Sequence, residues 1–309
     1  MHRLHVDTDI GGDPDDVAAL AMLAGRTDVD LVAVTTVLDA DGTRAAMARH
    51  CLRLVGRPDV PVVAGAPATS GGRRLDPMSE LWTGADLRPE PASDDAVARL
   101  ADSIRSGATV LAIGPLTNLA LLERAEPGLL GRARIVAMGG WVHDLEDDLP
   151  AWGPGRDWNV AADLDAARTV LPRTGDLTVV TLHETLRTHL RRAHLPRLRA
   201  AGAIGALLAH QAEVYAAARD HAGLAAAHEG LPDDLLLFLH DPLAAAVAVG
   251  GPGVRVERRA AVVVEDRGAL RLTRSPTGRD VGVVTAVDSE SITERWLSDT
   301  ERAGCAGTA

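Results

Sequence analysis

Short runs of aliphatic and β-branched residues alternate with longer Ala/Leu-rich stretches along most of this chain, and that alternation restricts its fold more than any other feature. Strand-like runs fall at 4–6, 31–37, 60–64, 110–113, 135–138 and 177–182. Between them, 16–24, 43–55, 94–105, 117–123 and 163–171 carry apolar residues at helical spacing. Such a βαβα order predicts the α/β class: a mostly parallel open sheet with a Rossmann-like core and helices on both faces. Residues 200–239 read as helical and Ala-rich, 254–287 as a β-ribbon, and 289–302 as a closing helix. With no linker and no internal repeat, 1–309 is expected to be a single domain.

In sheets of this kind, ligands bind beyond the carboxyl ends of the strands. The first such end opens the segment Asp7-Thr8-Asp9-Ile10-Gly11-Gly12-Asp13-Pro14-Asp15-Asp16, where five carboxylates fall within ten residues. They repel one another unless a cation or hydrogen-bond donors compensate. Oxygen-only donors suit Ca²⁺ or Mg²⁺, and neither a thiolate nor a pair of imidazoles is present in the segment to recruit zinc. The competing reading is a solvated acidic turn with Asp15 or Asp16 capping a helix. An EF-hand loop starting at Asp7 fails, because its fifth and twelfth positions hold Gly11 and Ala18. A phosphatase of the haloacid-dehalogenase type also starts from Asp-x-Asp, but it calls for Thr or Val where Gly11 stands and for a later basic residue, most often Lys. The sequence contains no Lys; all 32 basic residues are Arg.

Composition narrows the partners. A net charge of −11 argues against a nucleic-acid backbone. The longest apolar run, 235–249, is broken by His240, Asp241 and Pro242, so no membrane span is expected. Cys51 and Cys305, far apart in sequence, make a disulfide framework improbable. The N-terminus passes straight into a strand-like run with no charged leader, and the expected location is cytoplasmic.

Taken as blocks, the sequence resembles the inosine/uridine-preferring nucleoside hydrolase family. Its opening motif corresponds to Asp7-Thr8-Asp9-Ile10-Gly11 and Asp15-Asp16-Val17-Ala18-Ala19-Leu20, with a slightly longer spacer. Further blocks follow in order: Thr35-Thr36-Val37, Arg57-Pro58-Asp59-Val60-Pro61-Val62, Ala64-Gly65-Ala66, 112–120, Met138-Gly139-Gly140 and His240-Asp241-Pro242-Leu243-Ala244. Nearly the whole chain is covered. The resemblance implies hydrolysis of a ribonucleoside to ribose and free base by a metal-activated water, with Ca²⁺ held by Asp9, Asp16, Asp241 and the main-chain carbonyl of Ile113. Asp9 is implied as general base, and His240 either protonates the leaving base or is a structural imidazole. Asp15 and Asn159 are implied at the sugar, with Met138 beside them. A homodimer or tetramer is implied too. Two other readings stay open: the same fold acting on another N-ribosyl compound, and a calcium-dependent binder without turnover.

Four departures concern the substrate pocket. Asp157-Trp158-Asn159 stands where the family has Glu-Phe-Asn, so Asp157 is one methylene shorter than a Glu implied at the sugar 5′-hydroxyl. After Val37, Gly-Asn is replaced by Leu38-Asp39-Ala40-Asp41-Gly42, leaving Asp39 or Asp41 as substitutes. Leu81-Trp82-Thr83-Gly84 replaces a His-Gly stretch, and Trp82 is expected either to stack on a base or to pack. Leu182-His183-Glu184-Thr185 replaces Leu-Asp-x-Thr. Tyr215, His221 and His228 are further candidates for base contacts.

Overall fold

The computed structural model describes residues 1–90, 95–143, 145–266 and 268–307. Its strands are β1 (His2–Thr8), β2 (Val29–Thr36), β3 (Val62–Ala64), β4 (Thr109–Ile113), β5 (Arg134–Met138), β6 (Asp176–Val180), β7 (His189–Arg191), β8 (Leu235–Phe238), β9 (Val254–Asp266), β10 (Ala269–Arg274) and β11 (Arg279–Val287). The longer helices are α1 (Asp15–Ala24), α2 (Thr43–Leu54), α3 (Ala96–Arg105) and α4 (Thr117–Ala125). After them come α5 (Trp158–Ala161), α6 (Leu164–Val170), α7 (Leu182–Thr185), α8 (Leu195–Ala200), α9 (Gly202–Ala218), α10 (His221–Ala226), α11 (His240–Ala248) and α12 (Ser289–Ala306).

The main sheet runs β10-β9-β11-β6-β5-β4-β1-β2-β3. From β3 to β6, and on to β11, every pairing is parallel; β9 and β10 add an antiparallel edge. The expected mostly parallel sheet with helices on both faces is what forms. Successive strand residues alternate between two cores, as the period of two requires. Leu111, Ile113, Val136 and Met138 face a core shared with α1, α2, α9, α11 and α12. Val110, Ala112, Ile135 and Ala137 face a second core shared with α3, α4 and α6. Strands buried on both faces read as the near-continuous apolar runs seen in the sequence.

The chain proceeds from β1 outward through β2 to β3, then returns to the other side of β1 with β4. Strand order therefore reverses between β1 and β4, where Thr8 lies beside Ile113 in register. A crevice must open at such a reversal, because the connections leave in opposite directions.

Two expectations change. The reading of 200–239 as helical fails at β8, which pairs antiparallel with β7 in a separate two-stranded sheet. Leu235-Leu236-Leu237-Phe238 is wholly buried, and a short apolar run looks the same in a buried strand and a buried helix. The strand expected over 177–182 ends at Val180, and Leu182 opens α7 instead. The β-ribbon expected over 254–287 forms as antiparallel β9, β10 and β11, and β11 also docks parallel on β6, which extends the main sheet. In the helix expected over 94–105, Asp94 lies outside the described residues; Asp95 caps α3, accepting from Val97 N at 2.8 Å. Asp144 of the 141–156 loop also lies outside them. Among the described residues no helix is long and apolar enough to cross a membrane.

Candidate functional site

Asp9 leaves the end of β1 at the sheet's reversal point, and Gly114 on the neighbouring strand end lets it in. A Cβ on Gly114 would lie 2.7 Å from the Asp9 backbone nitrogen and 3.1 Å from Asp9 Oδ1, so only glycine permits this approach. Asp15 and Asp16 form the first turn of α1, and Asp241 sits in the first turn of α11. Two helix N-termini thus bring unpaired N–H groups and positive dipole ends to the same acids. The Asp241 N–H donates to Asp15 Oδ2 at 3.3 Å, joining residues 226 apart in sequence.

These acids are withdrawn from water. Asp15, Asp16 and Asp241 are 3%, 2% and 3% exposed, and Asp9 is part-buried. Burial, then mutual repulsion, pushes the carboxyls of Asp15, Asp16 and Asp241 well above their ordinary range. Asp9 is also raised, chiefly by burial, although Arg44 and Trp158 oppose the shift. Carboxyl oxygens of Asp13, Asp15 and Asp16 lie within 4.8 Å of one another. The lengthened spacer therefore carries Asp13 into the cluster, a placement the motif did not reveal.

Such a set of oxygens, crowded and poorly hydrated, fits a hard cation. Asp16 Oδ1 accepts the Thr8 hydroxyl, whose oxygen also takes the Ile10 N–H at 3.1 Å. Beneath the loop lies the buried guanidinium of Arg44, donating to the carbonyls of Asp9, Ile10, Leu38 and Leu75. Its charge offsets part of the repulsion on Asp9 and Asp16. Nothing in the local sequence singled it out among the arginines.

Asp7 turns the other way. Its Oδ1 accepts from Thr35 Oγ1 at 2.5 Å and Asn118 Nδ2 at 2.8 Å inside the sheet, while burial lifts its carboxyl to about 6. Because Thr35 donates to Asp7, it accepts from His5 Nε2 at 3.0 Å, and His5 Nδ1 then accepts from the Ser103 hydroxyl at 2.7 Å. Burial keeps that imidazole neutral, down at about 3. Asp7 is a brace for the loop.

Around Met138, the left-handed Gly139 and Gly140 (φ 128° and 96°) turn the chain so that Gly140 N–H donates to Asp157 Oδ2 at 2.6 Å. Asp157 is 1% exposed, and burial raises it to about 7. Asn159 Nδ2 donates to the Met138 carbonyl at 3.2 Å, which places Met138, Asp157 and Asn159 together. Trp82 lies elsewhere, 4% exposed in the core, edge-on to His50. The tryptophan at the acids is Trp158: its Nε1 donates to Asp9 Oδ2 at 2.9 Å. The Asp-Trp-Asn triplet was the signal for it, since it fills the family's Phe position. Asp39 and Asp41 do not face the acids. Asp39 accepts from Thr36 Oγ1 and from the Arg44 and Ala45 N–H groups, and Asp41 accepts from Thr43 N.

On the α9–α11 side, the chain's single Tyr and single Phe meet a group of imidazoles. Tyr215 Oη donates to Asp13 Oδ2 at 3.5 Å and stands edge-on to His221. Phe238 stacks on His240 at 5.5 Å and touches His189, His221 and Trp152. His240 Nδ1 pairs with Thr185 Oγ1 at 2.7 Å, and burial lowers the ring to about 4. His228, just past α10, bonds back to the Leu224 carbonyl. Sequence reasoning picked out Tyr215 and His221 but not Phe238, His189 or Trp152; His189 meets Phe238 because β7 and β8 pair, and Trp152 reaches it from the loop before α5.

Comparison with known proteins adds four findings. Residues 4–294 match the family described as inosine-uridine preferring nucleoside hydrolase. A pyrimidine-specific ribonucleoside hydrolase, RihA of Salmonella paratyphi A, is 29% identical over 211 residues; the match covers 64% of this chain and 65% of that relative's length. Among solved structures, a plant nucleoside hydrolase superposes with TM-score 0.80 at 22% identity, covering 97% of this chain and 98% of that one. A purine-preferring ribonucleoside hydrolase from Gardnerella vaginalis superposes with TM-score 0.79 at 23% identity, over 99% and 100%. At such identities the superpositions speak to the fold.

Proposed function

The chain belongs to the inosine-uridine preferring nucleoside hydrolase family, and on that footing we propose that it hydrolyses the N-glycosidic bond of a ribonucleoside to ribose and free base, using a resident calcium ion. One observation carries the reading. Asp9, Asp15 and Asp16 from one loop and Asp241 from a segment more than 220 residues later are gathered half- to fully buried at the strand-order reversal, each raised chiefly by burial and further by neighbouring acids. A merely structural role would leave that repulsion unexplained.

Asp9, Asp16, Asp241 and the Ile113 carbonyl would hold the ion, with Asp13 in reach of Asp16. When bound, the cation lowers the pKa of the attacking water and sets its approach. Asp9 receives the water's proton. Asp15 and Asn159 hold sugar hydroxyls, and Met138 and Asp157 back Asn159 from the turn behind it. The carboxylates stabilise the positive charge that spreads over the sugar ring as the glycosidic bond stretches. His240 is the candidate donor to the leaving base. Burial holds it neutral in the free protein, at about 4, so it would take the proton it donates from solvent before substrate covers the ring. The rings of Tyr215, His221 and Phe238 form the apolar side where a base would rest.

A chain with only two cysteines, far apart in sequence, accords with a reducing cytoplasm, and a homodimer or tetramer belongs to the same reading. Base preference is a separate matter, since one relative's name is pyrimidine-specific and another's purine-preferring. A panel of ribonucleosides assayed for released ribose, with calcium and with a chelator, tests the proposal. Ribose release abolished by the chelator and restored by calcium is expected. No release from any nucleoside with calcium present would sink the activity, and chelator-insensitive release would sink the metal.

A further inference from the structure

Trp158 is an unusual residue to leave at a surface. It is 41% exposed, in a chain that has only five tryptophans and 2% aromatic residues. Its indole N–H donates to Asp9 Oδ2 at 2.9 Å, and a phenylalanine of similar bulk has no such donor. Over the ring lies the Arg73 guanidinium, 5.1 Å from its centroid, a cation–π arrangement that favours one position of the indole.

Both partners of that stack are tied to one post. Asp163 Oδ2 accepts the Ser70 N–H at 2.7 Å, anchoring the loop that carries Arg73. The same oxygen accepts the Thr117 hydroxyl at 2.7 Å, and Oδ1 caps α6 through Ala166 N at 3.1 Å. Trp158 lies five residues before this post, so its segment and the Arg73 loop cannot shift independently.

Asp9 is consequently held at two points. Arg44 grips its main-chain carbonyl from below, and Trp158 grips Oδ2 from outside. Oδ1 is left on the side of Gly114, beside the strand end that carries Ile113. We propose that Trp158, pressed down by Arg73, is a positioning residue that holds Asp9 in one rotamer, so that the carboxylate meets cation and water in a fixed orientation. The proposal rests on the reading of Asp9 as ligand and base. Hydrogen-bond partners that orient metal ligands commonly carry 10- to 100-fold in affinity or turnover.

The test uses full-length Trp158→Phe, which keeps a ring and removes the donor, and Arg73→Ala, which keeps the donor and removes its cover. Calcium binding is measured by titration calorimetry and by tryptophan emission, independently of turnover. Trp158→Phe should bind calcium about tenfold or more weakly, and kcat should fall while KM stays within about twofold. The emission change on calcium binding should vanish with Trp158, and Arg73→Ala should show a smaller loss in the same direction. Wild-type calcium affinity and kcat in Trp158→Phe would overturn the proposal and leave the proposed function standing. So would a loss matched by a lower melting temperature of the metal-free variant, which marks packing. Wild-type protein that binds no calcium would overturn both.

Discussion

Asn118 Nδ2 donates to Asp7 Oδ1 at 2.8 Å across 111 residues of sequence. The same amide group donates to the Thr36 carbonyl at 2.8 Å, and its oxygen accepts the Ala66 N–H at 2.8 Å. One side chain at the start of α4 thereby joins the ends of β1, β2 and β3. Replacing Asn118 by Ala strands three buried polar partners, each worth about 1–3 kcal/mol when unsatisfied. A loss of about 3 kcal/mol or more in urea denaturation is expected, with weakened cation binding as the Asp7–Asp9 loop loosens. An unchanged midpoint would show that these bonds do not brace the site.

The acidic cluster predicts opposite effects on stability and function. In Asp241→Asn, one member of a mutually repelling set becomes neutral, so the metal-free variant should melt at or above wild type. Calcium at about 100 times its Kd should stabilise wild type by about 2.7 kcal/mol and the variant by much less. Ribose release should fall about 10³-fold or more, the several kcal/mol that a metal supplies to a transition state. Scanning calorimetry with calcium and with chelator, beside the activity assay, reads both halves. A variant stabilised by calcium as strongly as wild type would remove Asp241 from the ligand set.

Asp157 gives a pH signature. Its folded carboxyl is held at about 7 by burial, above an unfolded value near 3.9. The folded state therefore binds the extra proton, and this group's contribution is complete below pH ~4 and lost as pH rises through 7. The shift corresponds to on the order of 2–4 kcal/mol. Asp157→Asn should remove this dependence, so the variant gains on wild type between pH 5 and pH 8 in chemical denaturation. Parallel curves for the two proteins would contradict the assignment.

For His240 the leaving group decides. If it protonates the departing base, His240→Gln should lower kcat for ordinary ribonucleosides by about 10²–10⁴-fold. Hydrolysis of a p-nitrophenyl riboside, whose leaving group departs without a proton, should stay near wild type. Equal losses on both substrates would make the imidazole structural, acting through Thr185 and Phe238.

Much of the framework was legible in advance because its signals are local. Buried parallel strands read as near-continuous apolar runs, so β2, β4 and β5 stood out. β8 did not, because four buried apolar residues take the same form in a strand or a helix until a partner pairs with them. That partner, β7, lies more than forty residues earlier. Trp82 and Trp158 show the same limit, since bulk and rarity mark both while only packing decides which is core and which reaches Asp9.

The run from Asp7 to Asp16 specified its own chemistry: oxygen donors between a strand and a helix, too crowded to remain uncompensated. Which oxygens act together was left to tertiary structure. Asp7 faces into the sheet, Asp13 joins Asp15 and Asp16, and Asp241, Arg44 and Trp158 arrive from segments distant in sequence. The physical reason is that backbone conformation is set over a few residues. Burial and charge interaction instead depend on every segment that packs at a point, and here those segments meet where the strand order reverses.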